Sequence, residues 1–451
     1  MIFDLCVIGG GPAGYHAAIR ASQLNVKVAV IEDAEVGGIC LNRGCIPSKA
    51  LIEILKLTSR LEYFRRIGFN VSGGLNIEAV KSEVKEVISK LTHGLRSVLE
   101  SYDVTVINGV GRPQSPSYVK VQSSSGLMDV ECRRLIIASG SKTVNPFNTS
   151  NVLGIDSVLL GIDKLPQNIA IIGEDVFSVE VAYILGRLDR NVFLVNDKPG
   201  VLPDMDRDVS KGIQSWLIRN GVKILTGKRF SINEDGREIR FEGGGKIAID
   251  AIVSGYRIAR IDEINALGLE FSNQWVRVNN KMETNINGVY SAGDVTGGKY
   301  AHVAFMEGIV AAENALGGNI SIDLEKIPKC IYIGPEASSI GLTEEEAKLK
   351  GYKVIVGRAL FSANGRALTL GEGEGMVKVV IDSKYGEILG VHIVGPRATD
   401  IIGEALVALR LEASSSEIID IPHPHPTIIE AIREAVMAAY KKAIHIPKAK
   451  L

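Results

Sequence analysis

The sequence predicts an α/β protein with two Rossmann-like dinucleotide-binding domains followed by a C-terminal α+β domain. Three observations predict it. A strand, a glycine-rich turn, a helix and a second strand open the chain. A unit of the same texture begins at Asn168. From about Ile327 strands and short helices alternate in a new pattern. The chain has 451 residues, too many for one hydrophobic core.

The first unit reads in order. Phe3 to Gly9 is a buried parallel strand, because Leu5, Cys6, Val7 and Ile8 are all apolar. Pro12 to Leu24 carries Ala, Leu and Ile at helical spacing, and Val26 to Ile31 is a second apolar strand closed by Glu32. In the second unit, Ile169 to Ile172 and Val192 to Val195 are strands flanking a helix near Phe177 to Leu188. Val104 to Gln122 and Lys223 to Ala251 read as β-meanders. In the C-terminal region, strands are expected at Val377 to Ile381 and Ile388 to Val394, and helices at Ile401 to Leu409 and Thr427 to Lys442.

Composition narrows the function classes. The net charge is −1, which favours neither nucleic acid nor an anionic membrane as partner. No apolar run reaches the roughly 18 residues of a membrane span. The N-terminus shows no basic segment or cleavage site, so a cytoplasmic location is expected. Five cysteines, an odd count, argue against a structural disulfide framework.

Four motifs carry chemistry. In Gly9-Gly10-Gly11-Pro12-Ala13-Gly14, Gly9 permits a tight turn, Gly11 admits a pyrophosphate to the backbone and Gly14 allows close helix–strand packing. The helix start then offers N–H groups to phosphates, and Glu32 can bind ribose hydroxyls. In Gly37 to Lys49, Cys40 and Cys45 are expected on a helical turn, close enough to bond; two inert thiols or a metal site are the alternatives, but no further Cys or His lies near for a metal. The run His423-Pro424-His425-Pro426-Thr427-Ile428-Ile429-Glu430 supplies imidazoles that titrate near neutrality, suited to moving thiol protons. Thr284 to Asp294 is the fourth.

The segment Cys40-Leu41-Asn42-Arg43-Gly44-Cys45-Ile46-Pro47-Ser48-Lys49 resembles the active site of the flavoprotein disulfide reductases, and its wording is closest to the dihydrolipoamide dehydrogenase family among them. The other motifs, Ala138-Ser139-Gly140, Gly341 to Glu344 and Ala363 to Ala367 are similar to that family too, so the resemblance runs from about residue 3 to residue 445. It implies an FAD cofactor, with Gly9, Gly11, Gly14, Glu32, Lys49, Gly140 and Asp294 as binding residues. It implies that Cys40 exchanges with the thiol substrate, that Cys45 lies against the flavin as a thiolate, and that Lys49 pairs with Glu180. His425, charged and oriented by Glu430, is the implied base. It reaches the disulfide of the other subunit, so the C-terminal domain is a dimerisation domain and the protein a homodimer. The implied partner is dihydrolipoamide or the lipoyl domain of a 2-oxoacid dehydrogenase-type complex. The expected domains are 1–145 and 261–326 for FAD, 146–260 for a NAD(P)-binding-like fold and 327–451 for dimerisation.

The second fingerprint departs from the family pattern. Where the family has Gly-Gly-Gly-x-x-Gly-x-Glu, this chain reads Gly173-Glu174-Asp175-Val176-Phe177-Ser178-Val179-Glu180. A carboxylate about 4 Å from a phosphate repels it by roughly 4 kcal/mol at an effective dielectric near 20. Asn196 stands where an acid should close the second strand, and the later Gly-Arg has become Gly255-Tyr256-Arg257. NAD(P) use is therefore expected to be lost or severely weakened, with electrons passing to another, unknown acceptor. Two further functions compete: reduction of another small disulfide, and a low-turnover flavoprotein scaffold of a multienzyme complex.

Overall fold

The structure, a computed structural model, describes residues 1–298 and 300–447. Its first sheet has a parallel core in the order Thr105–Asn108, Val28–Glu32, Ile2–Ile8, Gly126–Ile137 and Val289–Ser291. The near half of the long strand Gly126–Ile137 pairs instead with an antiparallel meander, Val110–Ser115 and Tyr118–Ser123. Ile2–Ile8 is apolar because both faces are covered. The helix Pro12–Gln23 lies against Leu5 and Val7 on one side, and Cys6 and Ile8 face the core under the meander on the other.

The second sheet repeats the plan. Lys223–Leu225, Asn191–Val195, Asn168–Ile172, Ala251–Ser254 and Val152–Gly154 form a five-stranded parallel sheet in that order. A separate three-stranded meander spans Phe230–Ile232, Glu238–Phe241 and Lys246–Ala248. The C-terminal sheet is antiparallel: Lys329–Ile331, Glu336–Gly341, Ile388–Gly395, Met376–Asp382 and Val354–Leu360. Helices Ala398–Arg410 and Glu430–Ala439 bury Ile402, Ala405, Ile432 and Val436 in its core.

Element ends differ from the sequence reading by a few residues, and two differences matter. The cysteines do not share one helix. Cys40 lies in the short helix Gly38–Asn42 and Cys45 begins the 22-residue helix Cys45–Arg66, with a break at Arg43 and Gly44 between them. The 25-residue helix Ile77–Ser101 is not anticipated, although its buried Val80, Val84 and Leu99 lie on one helical face. Among the described residues no helix is long and apolar enough to cross a membrane.

Candidate functional site

The N-terminal turn is built on glycines for want of room. A Cβ at Gly14 would lie 1.8 Å from the Gly9 carbonyl oxygen, and one at Gly9, where φ is +100°, would lie 2.2 Å from the Ala138 oxygen. Glu32 is buried; its carboxylate accepts the N–H of Gly10 at 2.6 Å and of Ala34 at 2.9 Å. Burial nonetheless raises its pKa.

A cavity of about 1160 Å³ runs from this turn into the second dinucleotide unit. Gly9, Gly11, Glu32, Cys40, Cys45, Lys49, Gly140, Glu180 and Asp294 all line it, and Gly14 lies behind the turn. Asn42, whose motif position carried no assigned role, holds the cysteine segment in place. Its amide donates to the carbonyls of Glu35, Val36 and Gly38, and its side-chain oxygen accepts from Thr92 Oγ1 at 3.2 Å.

Cys40 and Cys45 are both free thiols here, and they titrate as a pair. The Cys45 sulfur is driven below the ordinary thiol range by the hydrogen bond from Cys40; burial opposes this and the Lys49 ammonium adds to it. Cys40 is pushed up correspondingly and keeps its proton. Cys45 also begins its helix, where the positive end of the dipole favours a thiolate.

Lys49 Nζ donates to Glu180 Oε2 at 2.6 Å and sits 4.6 Å from the centre of the Tyr332 ring. Burial works against the Lys49 charge, but the Glu180 carboxylate and the Cys45 sulfur more than offset it and raise its pKa. Glu180 is 1 % exposed and also accepts from Ser48 Oγ and from the N–H of Tyr332, both at 3.2 Å. Asp294 Oδ2 accepts from Ser141 Oγ and Arg257, each at 2.9 Å. Arg257, read from the sequence as part of a broken nucleotide motif, therefore faces the first unit. A residue the sequence reading missed lies behind it: Glu307 is buried, accepts the N–H of Gly293 at 2.7 Å, and has a pKa pushed up to about 7 by burial.

His425 and Glu430 do not line the cavity. His425 Nδ1 meets Glu430 Oε1 at 2.8 Å, and its side chain is 77 % exposed. His423 is turned inward, with Nε2 3.0 Å from Glu404 and a side chain 5 % exposed. A thiol pair lining a dinucleotide cleft, with the Cys45 pKa lowered by the Cys40 hydrogen bond and the Lys49 ammonium, is the arrangement of a flavin-linked disulfide oxidoreductase.

The comparisons agree with that class. The family of pyridine nucleotide-disulphide oxidoreductases matches residues 3–308, and the dimerisation domain of the same family matches residues 327–436. A dihydrolipoyl dehydrogenase of Thermus scotoductus is 38% identical over 98% of this chain and 99% of its own length. One of Bacillus subtilis is 37% identical over the same shares. Among solved structures, LpdA of Mycobacterium tuberculosis superposes with a TM-score of 0.87 at 23% identity, covering 96% of this chain and 98% of that one. The chain belongs to the pyridine nucleotide-disulphide oxidoreductases, and within them it is a dihydrolipoyl dehydrogenase-like enzyme of the flavoprotein disulfide reductase class.

That family binds a flavin and a pyridine nucleotide, and the two halves of the cavity suit them unequally. At the first turn the glycine cradle is open: a Cβ at Gly11 would meet nothing closer than Gly38 Cα at 3.7 Å, which leaves room for a pyrophosphate. At the second turn, the Asp175 carboxylate caps the helix start, and Ser178 is packed between Gly173 and Gly255.

Proposed function

We propose that the protein is an FAD-dependent dithiol–disulfide oxidoreductase that oxidises dihydrolipoamide, free or on a lipoyl domain, through the Cys40–Cys45 pair. The observation that carries the reading is the Lys49–Glu180 ion pair beside Cys45, in a cavity continuous with the Gly9 turn. In the oxidised enzyme, a substrate thiolate attacks the Cys40 sulfur, breaks the Cys40–Cys45 bond and releases Cys45 as a thiolate. The second substrate thiol loses its proton to His425 and attacks the substrate sulfur bound to Cys40. The substrate disulfide closes, Cys40 leaves as thiolate, and His425 returns the proton to it. The base is the His425 Nε2, because Nδ1 is committed to Glu430, and it comes from a second copy, because His425 does not line the cavity of its own chain. FAD, when bound, takes up the electron pair from the thiols. Gly9, Gly11, Gly14, Glu32, Gly140 and Asp294 would hold it, and Lys49, neutralised by Glu180, would stand beside its reactive ring.

The remaining assignments belong to the same reading. Residues 1–145 and 261–326 form the FAD domain, 146–260 the NAD(P)-binding-like domain and 327–451 the dimerisation domain, whose last residues, 448–451, lie outside the described residues. The location is cytoplasmic, and the physiological acceptor is something other than NAD(P). The test is reduction of the purified yellow enzyme by dihydrolipoamide, followed by stopped-flow mixing with NAD+, NADP+ and an artificial dye. Rapid reduction and reoxidation by the dye alone is the expected result. Colourless protein that takes up no FAD defeats the reading, and preference for glutathione over dihydrolipoamide redirects it to another small disulfide.

A further inference from the structure

Half of the cavity plays no part in the dithiol chemistry. It is walled by Gly173, Asp175, Asn196, Lys198 and Tyr256, and the local hydrogen bonds there differ from those of a nucleotide site. A pyrophosphate needs two things at such a turn: free N–H groups at the helix start and bare backbone against which to lie. Both are altered here. Asp175 is the N-cap of the helix Val176–Arg187, and its Oδ1 accepts the N–H of Ser178 at 2.9 Å. One first-turn donor is thus already held by a carboxylate of the chain itself.

Ser178 alters the packing beneath the turn, at the position where the first unit has Gly14. It is fully buried, and its hydroxyl oxygen has no hydrogen-bond partner among the described residues. It fills the gap between two glycines that line the cavity: a Cβ built on Gly173 or Gly255 would lie 2.2 or 2.5 Å from that oxygen. The nearby cation is taken as well, because Lys198 pairs with Glu174. Asn196 is occupied in a turn, accepting the Lys198 N–H at 2.9 Å.

We infer that Asp175 is a built-in substitute for the pyrophosphate: it occupies the anion site at the head of the second dinucleotide helix, and so restricts this half of the cavity to electron acceptors that carry no phosphate. The inference deepens the proposed dithiol reading and rests on it for the need of an acceptor. Closing the substrate disulfide releases two electrons and two protons, and the acceptor must take both electrons.

Occupancy and simple charge repulsion make different predictions. Asp175→Asn removes the charge but keeps a capping oxygen and the bulk, since Asn is as good an N-cap as Asp. Asp175→Gly removes all three. Holoenzyme titrated calorimetrically with NAD+ and with ADP-ribose should show no saturable binding below about 1 mM in the unmodified protein, and less than about a tenfold gain in Asp175→Asn. Asp175→Gly should gain more than about tenfold, and adding Ser178→Gly should gain further. Amide exchange in the first turn of the helix supplies a readout independent of affinity. It should quicken in Asp175→Gly and slow again with ADP-ribose, and should match the unmodified protein in Asp175→Asn. Saturable sub-millimolar binding by the unmodified protein overturns the inference, as does an equal gain in the Asn and Gly variants. If dihydrolipoamide fails to reduce the enzyme, the proposed function falls, while the titrations still decide the role of Asp175.

Discussion

Cys45 owes its low pKa first to the Cys40 hydrogen bond and then to the Lys49 ammonium. The two thiols should therefore be separable by spectrum. In the reduced holoenzyme, a thiolate beside oxidised flavin gives a long-wavelength band. Cys45→Ser should abolish it and Cys40→Ser should retain it; identical spectra in the two variants would mean the roles are misassigned. Lys49→Met should raise the Cys45 pKa, so that in the Cys40→Ser background the band appears only at higher pH than with Lys49 present. Glu307 gives a second pH prediction. Its folded pKa of about 7 stands above the ordinary 4.5. From pH 4.5 upward the unfolded chain loses this proton while the folded protein keeps it, so the group lowers stability progressively up to pH 7, by roughly 3 kcal/mol in all. Glu307→Gln should flatten the pH dependence of Tm over that interval, and an unchanged slope would mean that Glu307 ionises normally. The role of Glu307 was not legible in the sequence, because nothing local marks a carboxylate that will be buried against Gly293.

Elements made of contiguous residues were the legible ones. The strand, turn and helix at Ile2 to Gln23 close within one stretch of chain, and each glycine's steric task follows from its place in the turn. The pairing of Lys49 with Glu180 spans 131 residues and came only from family resemblance. The clamp between the second dinucleotide unit and the C-terminal sheet left no sequence signal at all. Lys378, on the strand Met376–Asp382, is 2 % exposed and meets Asp206 at 2.9 Å, Asp208 at 3.3 Å and Glu344 at 3.5 Å. A lysine in an apolar strand reads as a solvent-facing residue until the acids from a helix start 172 residues earlier are in place. Asp206 has two tasks, since its other oxygen caps the helix Arg207–Arg219 by accepting the Asp208 N–H at 2.9 Å. Asp206→Ala removes a cap and weakens the pairing of a buried cation, and should cost about 3–5 kcal/mol. Lys378→Met, which removes the cation and fills the space with apolar atoms, should cost distinctly less. Urea unfolding midpoints rank the two, and the reverse order would mean that the ion pair is not what joins these elements.

The whole molecule is incomplete as a single chain. The dimerisation-domain match and the exposed Leu360, Leu368, Val407 and Leu411 of the C-terminal domain both call for a second copy. His425, with its ring open to solvent and held by Glu430, lies off the cavity that contains the cysteines. His425→Ala should slow dithiol oxidation by roughly 10²–10⁴-fold, the usual worth of a positioned acid–base group. His423→Ala should do far less, because that ring is turned inward on Glu404. Slow turnover alone does not show which subunit the imidazole serves, but mixed subunits do. A Cys45→Ser chain has an intact His425, and a His425→Ala chain has intact cysteines. Each homodimer is inactive if the base acts across the interface or within the chain. Dissociated and reassociated together in equal amounts, half of the dimers are hybrids. In a hybrid, the site containing the His425→Ala chain's cysteines receives His425 from its partner, and the other site is dead twice over. Action across the interface therefore predicts recovery of about a quarter of the unmodified activity, one working site in two on half of the dimers. Action within a chain predicts none, because every site then lacks either its thiolate or its base.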